Sequence, residues 1–179
     1  MPKRVLVIST SPRTHSNSEQ LARAFADGAR QAGHDVETVS LRGIDLHFCR
    51  GCLVCQQTQR CVIQDDAIAI IEKMRGAEVI AFATPIYYYE MSGQMKTLLD
   101  RSNLLYGWDY AFRDIYLLSA AAEDAPFVPE RVQSGLCGWI DCFEKARLAG
   151  SVFAGGVTAP GEIQGHAALE QAFAMGKAV

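Results

Sequence analysis

Three short apolar runs, Val5 to Ile8, Val79 to Ala83 and Ile115 to Leu118, show no polar alternation. A strand that is apolar on both faces needs cover on both faces, which is the condition of a parallel sheet sandwiched between helices. The segments between the runs supply those helices. Ser16-Asn17-Ser18-Glu19 has capping-box spacing and opens an apolar stripe of Leu21, Ala22, Phe25, Ala26 and Ala29 that stops near Gly33. Asp65-Asp66 can cap a helix carrying Ile68, Ile71 and Met74, ended by Gly76, and Ser92 opens another with Met95, Leu98 and Leu99. Val132, Leu136, Ile140 and Phe143 mark a further helix, and Ala167 to Met175 a last one.

The strands are read as Arg4 to Ser9, Val36 to Leu41, Glu78 to Ala83, Ile115 to Ser119 and Val152 to Val157. Strands alternating with helices argue for right-handed crossovers and an α/β, doubly wound sheet. The 179 residues suit one core, so a single domain over 1–179 is expected. In such a sheet ligands sit beyond the carboxyl ends of the strands, near the point where strand order reverses. The loops after the first, third and fourth strands are where chemistry is expected.

The first of these, Thr10-Ser11-Pro12-Arg13-Thr14-His15-Ser16-Asn17-Ser18, gathers hydroxyls, an amide, an arginine and a helix start. Free N–H groups and the positive dipole end favour a phosphate there, with the Ser and Thr hydroxyls and Arg13 as further donors. Neither a P-loop nor GxGxxG occurs. Thr84-Pro85-Ile86-Tyr87-Tyr88-Tyr89 puts three tyrosines where a flat ring could lie, with Pro85 stiffening the backbone.

Thr10-Ser11-Pro12-Arg13 with Asn17-Ser18, Thr84-Pro85-Ile86-Tyr87, and Gly93-Gln94-Met95-Lys96 resemble the NADPH-dependent FMN reductase branch of the flavodoxin-like superfamily. The stretch from Cys49 through Asp66, and Pro160 to His166, extend the likeness over most of the chain; Thr10 and Ser16 stand where that family usually has glycine. The resemblance implies a flavodoxin-like three-layer sandwich, a five-stranded parallel sheet in the order 2-1-3-4-5 with helices on both faces. It implies FMN with its phosphate on Ser11, Arg13, Asn17 and Ser18, and its ring against Thr84, Pro85, Ile86, Tyr87 and Tyr88. Ser119 and Ala120, opening a loop to Glu123, would touch the ring edge. NAD(P)H would give hydride to flavin N5 and a small acceptor would take the electrons, with no catalytic side chain. A homodimer or homotetramer is implied, with Gly161-Glu162 near a partner's flavin.

Cys49, Cys52, Cys55 and Cys61 have the spacing CxxCxxCxxxxxC, compact in the manner of ferredoxin ligation. Three readings stand: a [4Fe–4S] cluster, which iron–sulfur flavoproteins of the same fold carry after the second strand; a structural zinc, disfavoured because zinc sites join two close pairs; and unligated or redox-active thiols. No metal ligand is assigned on this basis. With a cluster the chain would be an electron carrier; a flavin-binding protein without catalysis is the reading from another class. Cys137 and Cys142 are expected to be inert core residues. Tyr106, Trp108, Tyr110 and Phe112 read either as a substrate wall or dimer contact or as a loop folded onto the core, and His15, His34, His47 and His166 as surface or loop residues.

A net charge of -3 gives no general attraction to nucleic acid or anionic lipid. The apolar run after Met1-Pro2-Lys3-Arg4 is too short for a secretion signal or membrane span, so a cytoplasmic location is expected.

Overall fold

The computed structural model describes residues 1–179. Its elements run β1 (Arg4–Ser9), α1 (Asn17–Gln31), β2 (Asp35–Ser40), α2 (Val54–Thr58), α3 (Ala67–Gly76), β3 (Val79–Tyr87), β4 (Glu90–Met91), α4 (Gly93–Arg101), a 3-10 turn (Ser102–Gly107), β5 (Asp114–Ala120), α5 (Glu130–Ile140), β6 (Arg147–Ala154) and α6 (Ala167–Lys177). The long strands form one parallel sheet in the order β2-β1-β3-β5-β6. Counting only these five, that is the expected 2-1-3-4-5. The addition is β4, which folds back antiparallel on the end of β3 through Ile86–Met91 and Tyr87–Glu90 pairs. No helix is long and apolar enough to cross a membrane.

Successive strand residues face opposite sides, and this divides the core in two. Leu6, Ile8, Ile80, Phe82, Ile115 and Leu117 face α3, α4 and α5, meeting Met74, Met95, Leu98 and Leu136. Val5, Val7, Ala81, Ala83, Leu118 and Ala120 face α1 and α6, meeting Leu21, Phe25 and Ala172. The small side chains on this second face let α1 and α6 lie close. A Cβ on Gly28 would stand 2.0 Å from the Phe173 carbonyl oxygen, and one on Gly176 the same distance from that of Phe25. Gly28→Ala forces these helices apart, and a loss of about 3 kcal/mol, or roughly 6 to 12 °C in Tm, is expected in a thermal melt.

Two strands differ materially from the sequence reading. β3 continues through Pro85 to Tyr87, so the supposed loop begins as strand. The fifth parallel strand is Arg147–Ala154, not Val152 to Val157, because it borders only β5 and its partly exposed first half, Arg147-Leu148-Ala149-Gly150, has too few large apolar residues to read as a buried run. The acidic pair at the α3 start does cap it, through Asp65. The Asp66 carboxylate accepts from Asp45 N (2.8 Å), and it is Asp65 that accepts from Ala67 N at the helix start (3.2 Å).

Candidate functional site

The loop after β1 is locked from below. Thr10 donates to the Ala83 carbonyl through both its N (2.9 Å) and Oγ1 (3.0 Å), and the Ser92 hydroxyl lies 2.9 Å from Thr10 Oγ1. Ser92 caps α4, so one buried threonine joins the ends of β1 and β3 to the start of α4. Ser16 caps α1, its Oγ accepting from Glu19 N (3.2 Å), and Ser11 Oγ accepts from Arg13 N (3.2 Å). The remaining first-turn N–H groups of α1, of Asn17 and Ser18, have no intrahelical partner, and both residues line the cavity above. Glu19 braces the loop from behind. Burial alone would raise its pKa, but Arg23 and Arg42 outweigh this and hold the carboxyl below the usual range, while Arg42 also donates to the Arg13 carbonyl (3.1 Å).

A cavity of about 150 Å³ opens there, at the carboxyl ends of β1, β3 and β5. It is lined by Ser11, Arg13, Asn17, Ser18, Pro85, Ile86, Tyr87 and Ala120 of the expected residues, and by Ser16, Ala121, Ala122, Val157, Thr158 and Pro160 besides. Thr84, Ser119 and Tyr88 do not line it. Thr84 and Ser119 are register partners that share the parity of Phe82 and Leu117 and so face the α3–α5 side. There the Thr84 hydroxyl accepts from Ser92 N (3.0 Å), and that of Ser119 donates to the Val152 carbonyl (3.5 Å). Pro85 and Ala120, the next pair in register, face the cavity side.

The Asn17 amide also departs from the sequence reading. Its Nδ2 donates to the Ala159 carbonyl (3.0 Å) and its Oδ1 accepts from Ile163 N (3.2 Å), while Arg13 Nη1 donates to the Thr158 carbonyl (3.0 Å). The segment after β6 is thus tied over the loop after β1. Two backbone N–H groups, of Thr158 and Ala159, hold the Glu162 carboxyl below its ordinary range and close that turn on itself. Across the cavity, Tyr88 and Tyr89 form the two-residue turn between β3 and β4, both with positive φ (50° and 66°). Such turns favour Asn-Gly, so two tyrosines here are strained. Tyr89 is anchored by its hydroxyl donating to Glu123 (2.9 Å), which raises the phenol pKa, while Tyr88 is fully exposed.

A second cavity, about 460 Å³, is lined by Cys49, Cys52, Cys55 and Cys61 together with Cys142, Arg101, Asn103, Tyr106 and Trp139. Three of these sulfurs accept N–H donors: Cys49 from Gly51 N (3.4 Å), Cys55 from Asn103 Nδ2 (3.2 Å), and Cys61 from Ile63 N (3.4 Å) and Arg101 Nη2 (3.6 Å). No three His, Cys, Asp or Glu side chains converge as ligands of one ion. Cys137 and Cys142 are not core residues as expected: Cys137 is half-buried, with burial and Asp141 raising its pKa, and Cys142 is exposed at the cavity.

The family model for NADPH-dependent FMN reductase matches residues 3–122. The chain belongs to this FMN reductase family. Among curated proteins it is 36% identical over 107 residues to the iron-sulfur flavoprotein of Methanosarcina thermophila, covering 60% of this chain and 56% of that protein. The chain spans about half the length of the curated relatives it matches. Among solved structures, the NAD(P)H:quinone oxidoreductase from Methanothermobacter marburgensis superposes with a TM-score of 0.77 at 18% identity, over 99% of this chain and 96% of that one. An FMN-dependent NADH-azoreductase from Bacillus anthracis in complex with FMN gives 0.67 at 14%, over 98% of each chain. At these identities the superpositions establish the flavodoxin-like fold.

In this FMN reductase family member the other sequence candidates divide cleanly. Phe112 is fully buried, stacked on Tyr110 (4.4 Å between centroids), and Trp108 lies beneath the Arg75 guanidinium (4.9 Å), so this loop folds onto the core. Tyr106 instead lines the cysteine cavity. His34 accepts from Lys3 N, and His166 caps α6 by accepting from Ala168 N.

Proposed function

We propose that this protein is an FMN-dependent oxidoreductase, residues 1–179 acting as one flavin-binding unit, that takes electrons from NAD(P)H and passes them on, with a [4Fe–4S] cluster on Cys49, Cys52, Cys55 and Cys61. The observation that carries the reading is the presence, in one FMN reductase family chain, of an anion-type cavity at the strand ends and a cavity walled by sulfurs that already accept N–H donors. When bound, FMN supplies hydride acceptance at N5, and the cluster supplies single-electron transfer.

The chain's own residues bind, orient and exclude water. Ser11, Ser18, the first-turn N–H groups of α1 and Arg13 suit the dianionic phosphate. Asn17 contributes through its backbone N–H, since its amide is committed to the loop after β6. A 150 Å³ cavity is smaller than the roughly 300 to 1,000 Å³ of a complete small-ligand pocket, so it takes the phosphate end and leaves the ring to Pro85, Ile86, Tyr87 and the small Ala120 to Ala122 at the rim. No side chain at this rim is needed as acid or base; positioning is the protein's contribution. Thr84 and Ser119 hold the frame rather than the ligand, and Tyr88 stands exposed beyond the cavity. A homodimer or homotetramer working in the cytoplasm on a small acceptor follows from the same family likeness.

The test is the absorption spectrum of anaerobically purified protein with iron, sulfide and flavin analysis, followed by NAD(P)H oxidation with quinone, nitro, azo and free-flavin acceptors. Bound FMN with four iron and four sulfide per chain is expected. Flavin without iron would leave a plain reductase with free thiols; iron with negligible turnover would make the chain a carrier; and absence of both groups would sink the reading.

A further inference from the structure

We propose that Arg101 and Asn103 are positioning residues that set the reduction potential of the cluster, by presenting fixed N–H donors to the sulfurs of Cys61 and Cys55. The inference rests on the cluster reading above. Both donors come from one short stretch, the last residue of α4 and the 3-10 turn after it, on the wall opposite the cysteine segment.

Arg101 is the largest fully buried side chain in the protein, and a guanidinium is not placed there without partners. Asp65, equally buried, takes a two-pronged ion pair with Nη1 and Nη2. Nη1 also donates to the His47 carbonyl (2.9 Å), and Nη2 to the Ile63 carbonyl (3.3 Å) and Cys61 Sγ (3.6 Å). Every acceptor lies in the stretch 47–65, so the arginine moulds the cysteine loop around itself.

One donor is left over. Nε of Arg101 is the one buried side-chain nitrogen or oxygen with no hydrogen-bond partner. Leaving a charged group's N–H unsatisfied in the interior costs on the order of a hydrogen bond, so the guanidinium is held here by its other partners at a cost.

Donors to cluster sulfurs, and a cation beside a ligating thiolate, stabilise the state carrying one more electron. Arg101 cannot lose its charge, and its planar fork is held by Asp65, so the effect is built in rather than induced. Asn103, only partly buried and donating to Cys55 at 3.2 Å, acts in the same direction without a charge.

The experiment is a dithionite titration of the iron-loaded protein in the presence of mediator dyes, monitored by electron paramagnetic resonance, on wild type and three variants. Asn103→Leu leaves the ion pair intact. Arg101→Lys keeps the charge without the fork. Asp65→Leu with Arg101→Met removes both charges together, which buried pairs tolerate far better than loss of one. The double variant removes the N–H donor to Cys61 with no change of net charge, and its reduced-to-oxidised ratio at a fixed potential should fall severalfold. Asn103→Leu should shift the same way by less, and Arg101→Lys should fall between wild type and the double variant. If the double variant does not load iron, the two single variants decide. Ratios within twofold of wild type in every variant that loads iron would overturn the proposal while leaving the cluster in place; a wild-type protein without iron would overturn the cluster reading and the proposal with it.

Discussion

Asp65→Ala is expected to remove about 3 to 5 kcal/mol of stability, because it leaves the Arg101 guanidinium buried and uncompensated. With an m-value of about 2 kcal/mol/M, the urea midpoint should fall by roughly 2 M. Restoring neutrality with Asp65→Leu and Arg101→Met together should recover most of that loss, which separates a missing charge partner from missing packing. The pair also sets a pH dependence. Burial alone would push the Asp65 carboxyl up, but Arg101 and the backbone N–H groups of His47 and Ala67 outweigh it and hold the group below the usual carboxylate range. A carboxyl depressed in the folded state contributes stability that is complete above its unfolded pKa of about 4 and lost as pH falls through the folded value. Wild type should therefore lose stability below about pH 4 more steeply than the neutral double variant. Parallel acid-unfolding curves for the two would show that the pair contributes nothing to acid sensitivity.

The parts of the fold legible in the sequence are those whose burial is two-sided. β1, β3 and β5 lie inside the sheet, so Val5 to Ile8, Val79 to Ala83 and Ile115 to Leu118 are apolar at every position, and no other element explains such runs. β6 borders only β5, and its first half, Arg147 to Ser151, carries no continuous apolar signal. Pro85 looks like a strand end because it lacks a ladder donor. In the sheet, β1 pairs with β3 only as far as Ala83, so the proline faces a side where no donor is needed, and the strand continues. β4 and the Tyr88-Tyr89 turn were illegible for a different reason. The turn has neither glycine nor asparagine, and its backbone is held by tertiary contacts such as Tyr89 to Glu123.

At the site, the capped start of α1 was legible because capping chemistry is local: Ser16 to Glu19 lie within one helical turn. The choice among strand-end residues was legible too, through strand parity. Thr84 and Ser119 share the parity of Phe82 and Leu117, and Pro85 and Ala120 that of Ala83 and Leu118, so only the second pair belongs to the cavity side. What no local pattern carries is the pairing of Arg101 with Asp65. Nothing about a helix-ending arginine or the Asp65-Asp66 pair points one to the other, and the contact exists only because α4 and the cysteine segment share a face of the sheet. The same holds for Thr158 and Pro160, which reach the cavity by way of Arg13 and Asn17.

The second large effect concerns the strand-end cavity. Arg13→Ala with Ser18→Ala is expected to weaken FMN binding by about two orders of magnitude, since a hydrogen bond to a charged group contributes about 1.5 to 3 kcal/mol and Arg13, being exposed, stands at the low end of that range. Titrating free FMN with the flavin-stripped variant and following quenching of flavin fluorescence measures this directly. The substitutions have different neighbours, which guards against a false result. Arg13 is exposed and makes only a loop contact to Thr158, so its loss should leave the melt nearly unchanged. Ser18 is buried but its hydroxyl only approaches Ser16 Oγ (3.4 Å), so its loss should cost no more than about 1 kcal/mol. Arg42→Ala is the informative third variant. It removes the brace between Glu19 and the Arg13 carbonyl without touching the cavity, and should weaken FMN several-fold by loosening the loop. Wild-type affinity in the Arg13 and Ser18 double variant would place the phosphate elsewhere, whereas weakening in that variant with none in Arg42→Ala would show that the first turn of α1 and the capping serine hold the loop by themselves.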